Sequence, residues 1–125
     1  MKTGSAIVQS LLIAAVTFSG SAHAQDAANG KKVYRRVCMT CHYLPKENKN
    51  WFGPSLHGIV NHRSADNPDF IYSTAMKNMN IIWTEDNLDR FLKRPEAVLP
   101  STKMDFAGVS KPEDRSDVIA YLKDN

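Results

Sequence analysis

The chain has 125 residues, with 16 lysines and arginines against 13 aspartates and glutamates, and only two cysteines. That length suits one small domain and leaves no room for a Rossmann or barrel scaffold. A formal net charge of +3 is too small an excess to argue for nucleic acid, so the choice of partner rests on where the charges lie.

The first 24 residues read as a secretory signal peptide. Lys2 supplies the charge, residues 6–18 form a short apolar stretch, and Ala22-His23-Ala24 is a small-x-small cleavage site. The stretch contains Gln9, Ser10 and Thr17 and is shorter than the roughly 20 residues a membrane helix needs, so cleavage is expected rather than anchoring. Residues 25–125 then form a single domain without stable membrane insertion. A presequence of the Arg-rich, amphipathic mitochondrial kind is absent, which favours a bacterial periplasm. Because much of the apolar content lies in the leader, the domain has a thin core, and a buried cofactor or cross-link has a place in holding it.

Along the domain, Asp26-Ala27-Ala28-Asn29 offers capping side chains, and Val33 with Val37 gives an i, i+4 pair, so a helix is predicted near residues 27–40. Gly30 is a cost inside it. Residues 45–67 carry Pro45, Gly53, Pro54 and Gly58 with little periodicity and read as loop rather than sheet. A short helix is predicted over residues 73–78. Thr84 then caps a better one, in which Leu88, Phe91 and Leu92 share a face until Arg94-Pro95 ends it. Residues 95–110 show no helical period. Ser110-Lys111-Pro112-Glu113 has capping-box spacing, followed by the apolar stripe Val118, Ile119, Tyr121 and Leu122 of a final helix. The expected class is all-α, three or more helices with long loops.

The chemistry is concentrated in Cys38-Met39-Thr40-Cys41-His42, the pattern of c-type haem attachment. Thiols three positions apart share a helical face and can form thioethers with the two vinyl groups of one porphyrin, while His42 follows where its imidazole can reach the iron. Other readings compete. A Cys38–Cys41 disulfide suits an exported protein, but a thioredoxin-type pair sits in a βαβ setting that this chain lacks. A zinc site needs four ligands, and only His57 and His62 remain to join these three.

Iron held by one histidine needs a sixth ligand, whose identity separates an electron carrier from a peroxidatic or ligand-binding haem protein. Met76 and Met79 lie on or near the short helical stretch, where core filling is the ordinary use of methionine. Met104 stands instead in the proline-flanked loop Leu99-Pro100-Ser101-Thr102-Lys103-Met104-Asp105-Phe106. Composition alone leaves ligand and filler open there.

The chain resembles the class I c-type cytochromes, the small soluble cytochromes c of mitochondria and bacteria, over about residues 30–123. The resemblance is carried by Gly30-Lys31-Lys32-Val33-Tyr34, by Cys38 to His42, by Gly53-Pro54-Ser55-Leu56-His57-Gly58, by Ile82-Trp83, by residues 100–106 and by residues 117–123. It implies the cytochrome c fold around one covalent haem c bound through Cys38 and Cys41, with His42 and Met104 as axial ligands. It further implies that the Pro54 carbonyl accepts a hydrogen bond from His42, that Tyr72 and Trp83 donate to a haem propionate, and that Gly30 and Tyr34 cross Val118 and Tyr121. Some positions depart from the pattern. Phe91 stands where a tyrosine often donates to the ligand sulfur, Met76 where an asparagine often joins buried water, and His62-Arg63 replaces a Gly-Arg or similar pair near a propionate.

The function implied is single-electron transfer by a monomeric periplasmic carrier, not an enzyme. Its partners would be redox proteins with acidic docking surfaces: a cytochrome bc complex, a terminal oxidase, a photosynthetic reaction centre or a periplasmic dehydrogenase. Lys31, Lys32, Arg35 and Arg36 on the first helix read equally as a solvated face. Lys46, Lys49 and Lys103 are the better docking candidates, although Glu96, Ala97 and Asp105 interrupt the family's ring of lysines. The rival is a haem peroxidase or ligand-binding protein with a labile sixth ligand, and a thiol oxidoreductase without haem is a third reading.

Overall fold

A computed structural model describes residues 23–45 and 49–125. The signal-peptide reading, apart from His23 and Ala24, lies outside the described residues, and so does Lys46. Among the described residues five helices appear in chain order: α1 (Ala27–Val37), α2 (Thr74–Met79), α3 (Glu85–Lys93), α4 (Pro95–Val98) and α5 (Pro112–Lys123). Among the described residues there is no strand, only an isolated bridge between Arg63 and Ile82. The class is all-α, as the residues implied.

Local chemistry sets most of the boundaries. The Asp26 carboxylate accepts from the N–H groups of Ala28 and Asn29 and starts α1, Ser73 caps α2 through the Met76 N–H, and Thr84 caps α3 through the Asn87 N–H. Helix α1 ends at Val37, earlier than its apolar spacing suggests. The chain past it stays in tight turns, with the N–H groups of Cys41 and His42 both returning to the Cys38 carbonyl at 3.0 and 2.9 Å. Helix α5 starts later than the capping-box spacing implies. Its N-cap is Lys111, with no side-chain cap, and Pro112 takes the first position, where a missing N–H costs nothing. Helix α4 was not anticipated: four residues begun by a proline carry no periodic signal.

The frame is the crossing of α1 and α5. Val33 and Val118 are fully buried at its centre, and the Tyr34 and Tyr121 rings meet at 5.7 Å between centroids. Gly30 makes the approach possible. A Cβ there would lie 1.9 Å from the Asp117 carbonyl oxygen, so the glycine's helix-propensity cost is offset by backbone contact that no other residue allows.

Beside it, the buried Asp117 carboxylate accepts from the Asp26 N–H and from Asn29 Nδ2, each at 2.8 Å, and meets His23 Nε2 at 3.0 Å. Burial by itself would raise this carboxyl's pKa, but the hydrogen bonds outweigh it and hold the group below the usual carboxylate range. Helix α3 packs on α5 from the other flank, burying Leu88, Phe91 and Leu92. Long loops fill the remaining side. They enclose the site.

Candidate functional site

A cavity of about 830 Å³ lies among these elements, toward the large end of the range for cofactor pockets. Val37, Cys38, Cys41 and His42 line it from the end of α1 and the turn beyond. The loop after Phe52 adds Gly53 to His57, the next loop adds Phe70 and Tyr72, α3 contributes Leu88, Phe91 and Leu92, and residues 102–106 bring Met104. The walls are mostly apolar. Two thiols, the imidazoles of His42, His57 and His62, and two thioethers, those of Met76 and Met104, line the same space.

Cys38 is buried and Cys41 exposed, and the thiols are not bonded to each other. Burial, with a smaller contribution from Cys41, pushes the Cys38 thiol up to about 11, so it stays protonated. The His42 ring is fixed from several directions. Its Nδ1 lies 2.8 Å from the Pro54 carbonyl, and because a carbonyl only accepts, Nδ1 carries the proton and Nε2 keeps its lone pair. Burial lowers the imidazole's pKa, with the Pro54 bond opposing part of the shift, so the ring is neutral and fit to bind a metal.

Gly53 gives the ring its room. A Cβ there would come within 2.4 Å of the imidazole, and the Gly53 N–H is tied to the Cys41 carbonyl at 2.8 Å. The His42 backbone is held too, since Tyr34 donates its hydroxyl to the His42 carbonyl at 2.7 Å. These two positions were not read as site residues beforehand. Gly53 could be found by its place before Pro54; nothing local marks Tyr34.

Trp83 is buried on the cavity wall, its ring 5.0 Å from that of Phe91 and its backbone paired with Asn61 and His62. Tyr72 is half-buried on the same wall, and burial raises its phenol, which remains a donor. Both side chains thus border the cavity. Arg63 and His62 also reach the cavity, but the Arg63 guanidinium is engaged by Asn80 Oδ1. His57 and His62 are exposed, and among the described residues no group of three or more His, Cys, Asp or Glu side chains is placed to hold a metal ion.

A cavity of this size with an attachment motif at its wall and a neutral, oriented histidine beside it suits a porphyrin better than a bare ion. Comparison with known proteins agrees. The cytochrome c family model matches residues 27–125. The chain belongs to the cytochrome c family. It is 41% identical to cytochrome c2 of Rhodomicrobium vannielii over 118 residues, 94% of each chain. Against cytochrome c2 of Blastochloris viridis the identity is 40% over 117 residues, covering 94% of this chain and 91% of the relative. Cytochrome c of Sesamum indicum is 39% identical over 99 residues, 79% of this chain and 89% of the relative. Membership makes this protein an electron-transfer cytochrome rather than an enzyme and implies covalently bound haem c, which the Cys38-to-His42 spacing fits.

Proposed function

We propose that the chain is an exported, monomeric single-electron carrier with one haem c, joined through Cys38 and Cys41 and ligated by His42 and Met104. The observation that carries this reading is the convergence of both thiols, the His42 ring and Met104 on one apolar cavity. Haem c supplies an iron that changes between ferrous and ferric states. The protein does the rest. Pro54 holds the ring so that Nε2 is the free nitrogen, and His42 and Met104 would together hold the iron, leaving no position open to substrates. Apolar walls exclude water and disfavour the extra charge of the ferric state, so a relatively high potential is expected. Tyr72 and Trp83 would hold the propionates of the haem by donating to them, with Arg63 or His62 beside them.

The test is spectroscopic. Mass spectrometry of the exported protein is expected to show one haem on a chain beginning at Gln25, and the ferric spectrum to be six-coordinate, low-spin and unresponsive to cyanide on fast timescales. Rapid cyanide binding would favour the peroxidatic or ligand-binding reading; a retained leader would make residues 6–18 an anchor. Export is supported by Lys2, the short apolar stretch of residues 6–18 and the small-x-small Ala22-His23-Ala24.

Phe91 is buried on the cavity wall without a hydroxyl. Phe91→Tyr is expected to raise the potential slightly, because a hydrogen bond to the Met104 sulfur makes it a poorer ligand for ferric iron. Redox titration checks this. A marked fall with the sulfur-to-iron band intact would contradict the argument.

For partners, lysine placement supports docking beside the Met104 loop. Lys103 is exposed and lines the cavity mouth, and Lys49 is exposed near the Tyr43 ring. Arg36 is already paired with Asp114 and Lys123 with Glu85. With an acidic redox partner, whether bc complex, oxidase, reaction centre or dehydrogenase, the association rate should fall as salt shortens the Debye length to about 8 Å at physiological strength. The fall is shallower than for an unbroken lysine ring, because Glu96, Ala97 and Asp105 are exposed in this one. Lys103→Glu should slow association several-fold and Lys123→Glu much less. Equal effects, or a rate that rises with salt, would place the docking face elsewhere.

A further inference from the structure

We propose that Asn50 is a positioning residue that tunes His42 through the single peptide group joining Pro54 to Ser55. The two ends of that peptide have different partners. Its carbonyl accepts from His42 Nδ1 at 2.8 Å, and its N–H, belonging to Ser55, donates to Asn50 Oδ1 at 3.0 Å. Resonance couples the ends, so a bond accepted from the N–H shifts electron density toward the carbonyl oxygen. Pro54 thereby becomes a stronger acceptor for the imidazole proton. A ring whose proton is held more strongly is more electron-rich at Nε2 and a better donor to ferric iron. This step rests on the reading of His42 as the iron ligand.

Asn50 is well placed to act in this way because partners at both ends of its amide fix its orientation. Oδ1 also accepts from Asn67 Nδ2 at 3.0 Å, and Asn50 Nδ2 donates to the Asp69 carbonyl at 2.9 Å. Two donors face the oxygen and one carbonyl faces the nitrogen, so the amide's orientation follows from its partners. Ser55 is only 6% exposed, and water does not readily replace the lost acceptor there. The same side chain ties the Pro54 loop to the loop that leads to Tyr72. It has two separable roles: joining loops and polarising one peptide.

Asn50→Leu and Asn67→Leu separate them in the haem-loaded protein. Both remove a bond between the loops, but only Asn50→Leu takes the acceptor from Ser55. In ferrous protein, Asn50→Leu is expected to move the His42 Nδ1 proton resonance upfield, speed its exchange with solvent and raise the reduction potential. Asn67→Leu is expected to lower thermal stability while leaving the resonance and potential near wild type. If Asn50→Leu does not retain haem, Asn50→Asp decides: it keeps a stronger acceptor for Ser55 and loses the donor to Asp69, so the resonance should move downfield. An unchanged resonance in Asn50→Leu, equal shifts in both leucine variants, or an upfield move in Asn50→Asp would overturn the proposal. The ligand reading is checked independently in wild type. His42 ring C–H signals shifted far upfield by the porphyrin support iron ligation, and their absence would overturn that reading whatever Asn50 does.

Discussion

Met104→Ala is expected to keep the haem attached, abolish the near-infrared sulfur-to-iron charge-transfer band and lower the potential by on the order of 0.1 V, a fraction of the roughly 0.8 V that axial ligands span. Attachment depends on Cys38 and Cys41, which the change does not touch. The loop should also survive, because other residues anchor it. At its start the Leu99 N–H returns to the Pro95 carbonyl at 2.8 Å and the Thr102 N–H to Leu99 at 3.1 Å, while Thr102 Oγ1 accepts from the Met104 N–H. At its end the Val109 N–H bonds the Leu92 carbonyl at 2.8 Å, and Gly108, at φ 102°, lets the chain pass against Lys93.

Arg115 then clamps the exit. Its buried guanidinium donates to the carbonyls of Val109 and Ser110 and meets Asp89 at 2.7 Å, so α3 and α5 both hold the segment. Loss of the thioether is therefore a local change. Met76 provides the comparison, since it lines the same cavity, whereas Met79 packs on the core outside that lining. Neither Met76→Leu nor Met79→Leu should remove the band. If either did, the sixth ligand would be that methionine and not Met104.

How much of this could be read in advance depends on the range over which each residue acts. Helices α1, α3 and α5 were legible because caps and apolar spacing are local: Asp26 and Thr84 sit beside the N–H groups they satisfy. The end of α1 was not, since a tight turn with bonds returning to Cys38 has the same short-range spacing as a last helical turn. The short proline-begun α4 lacks a period altogether. That Cys38, Cys41 and His42 share one cavity wall was legible because they are neighbours in sequence. Asn50 looks like any loop asparagine until Ser55 and Asp69 are seen against it. Arg115 and Asp117 likewise resemble surface charges of a polar helix, but the first is 5% and the second 1% exposed, each with partners from distant segments. Charge at these two positions serves to join elements.

Gly30→Ala tests the frame itself, and here propensity and packing make opposite forecasts. In an exposed helix the change should stabilise by up to about 1 kcal/mol, because alanine has less backbone entropy to lose. At this crossing the new Cβ would stand 1.9 Å from the Asp117 carbonyl oxygen, 2.5 Å from its carbon and 2.9 Å from Tyr121 Cβ. Those atoms cannot swing aside as a long side chain can. Relief requires α1 and α5 to separate, which opens the contacts around Val33 and Val118 and pulls Asp117 from Asp26 and Asn29. Overpacking usually costs about 1–3 kcal/mol, and a clash with backbone belongs at the upper end. For a domain of this size about 3 kcal/mol corresponds to a fall of roughly 12–24 °C in Tm. Thermal unfolding of the haem-loaded protein measures it. Adding Tyr121→Ala should not restore stability, since alanine retains the Cβ and the carbonyl contact is unchanged. A Gly30→Ala protein as stable as wild type would mean that the helices cross farther apart, with propensity rather than contact governing this position.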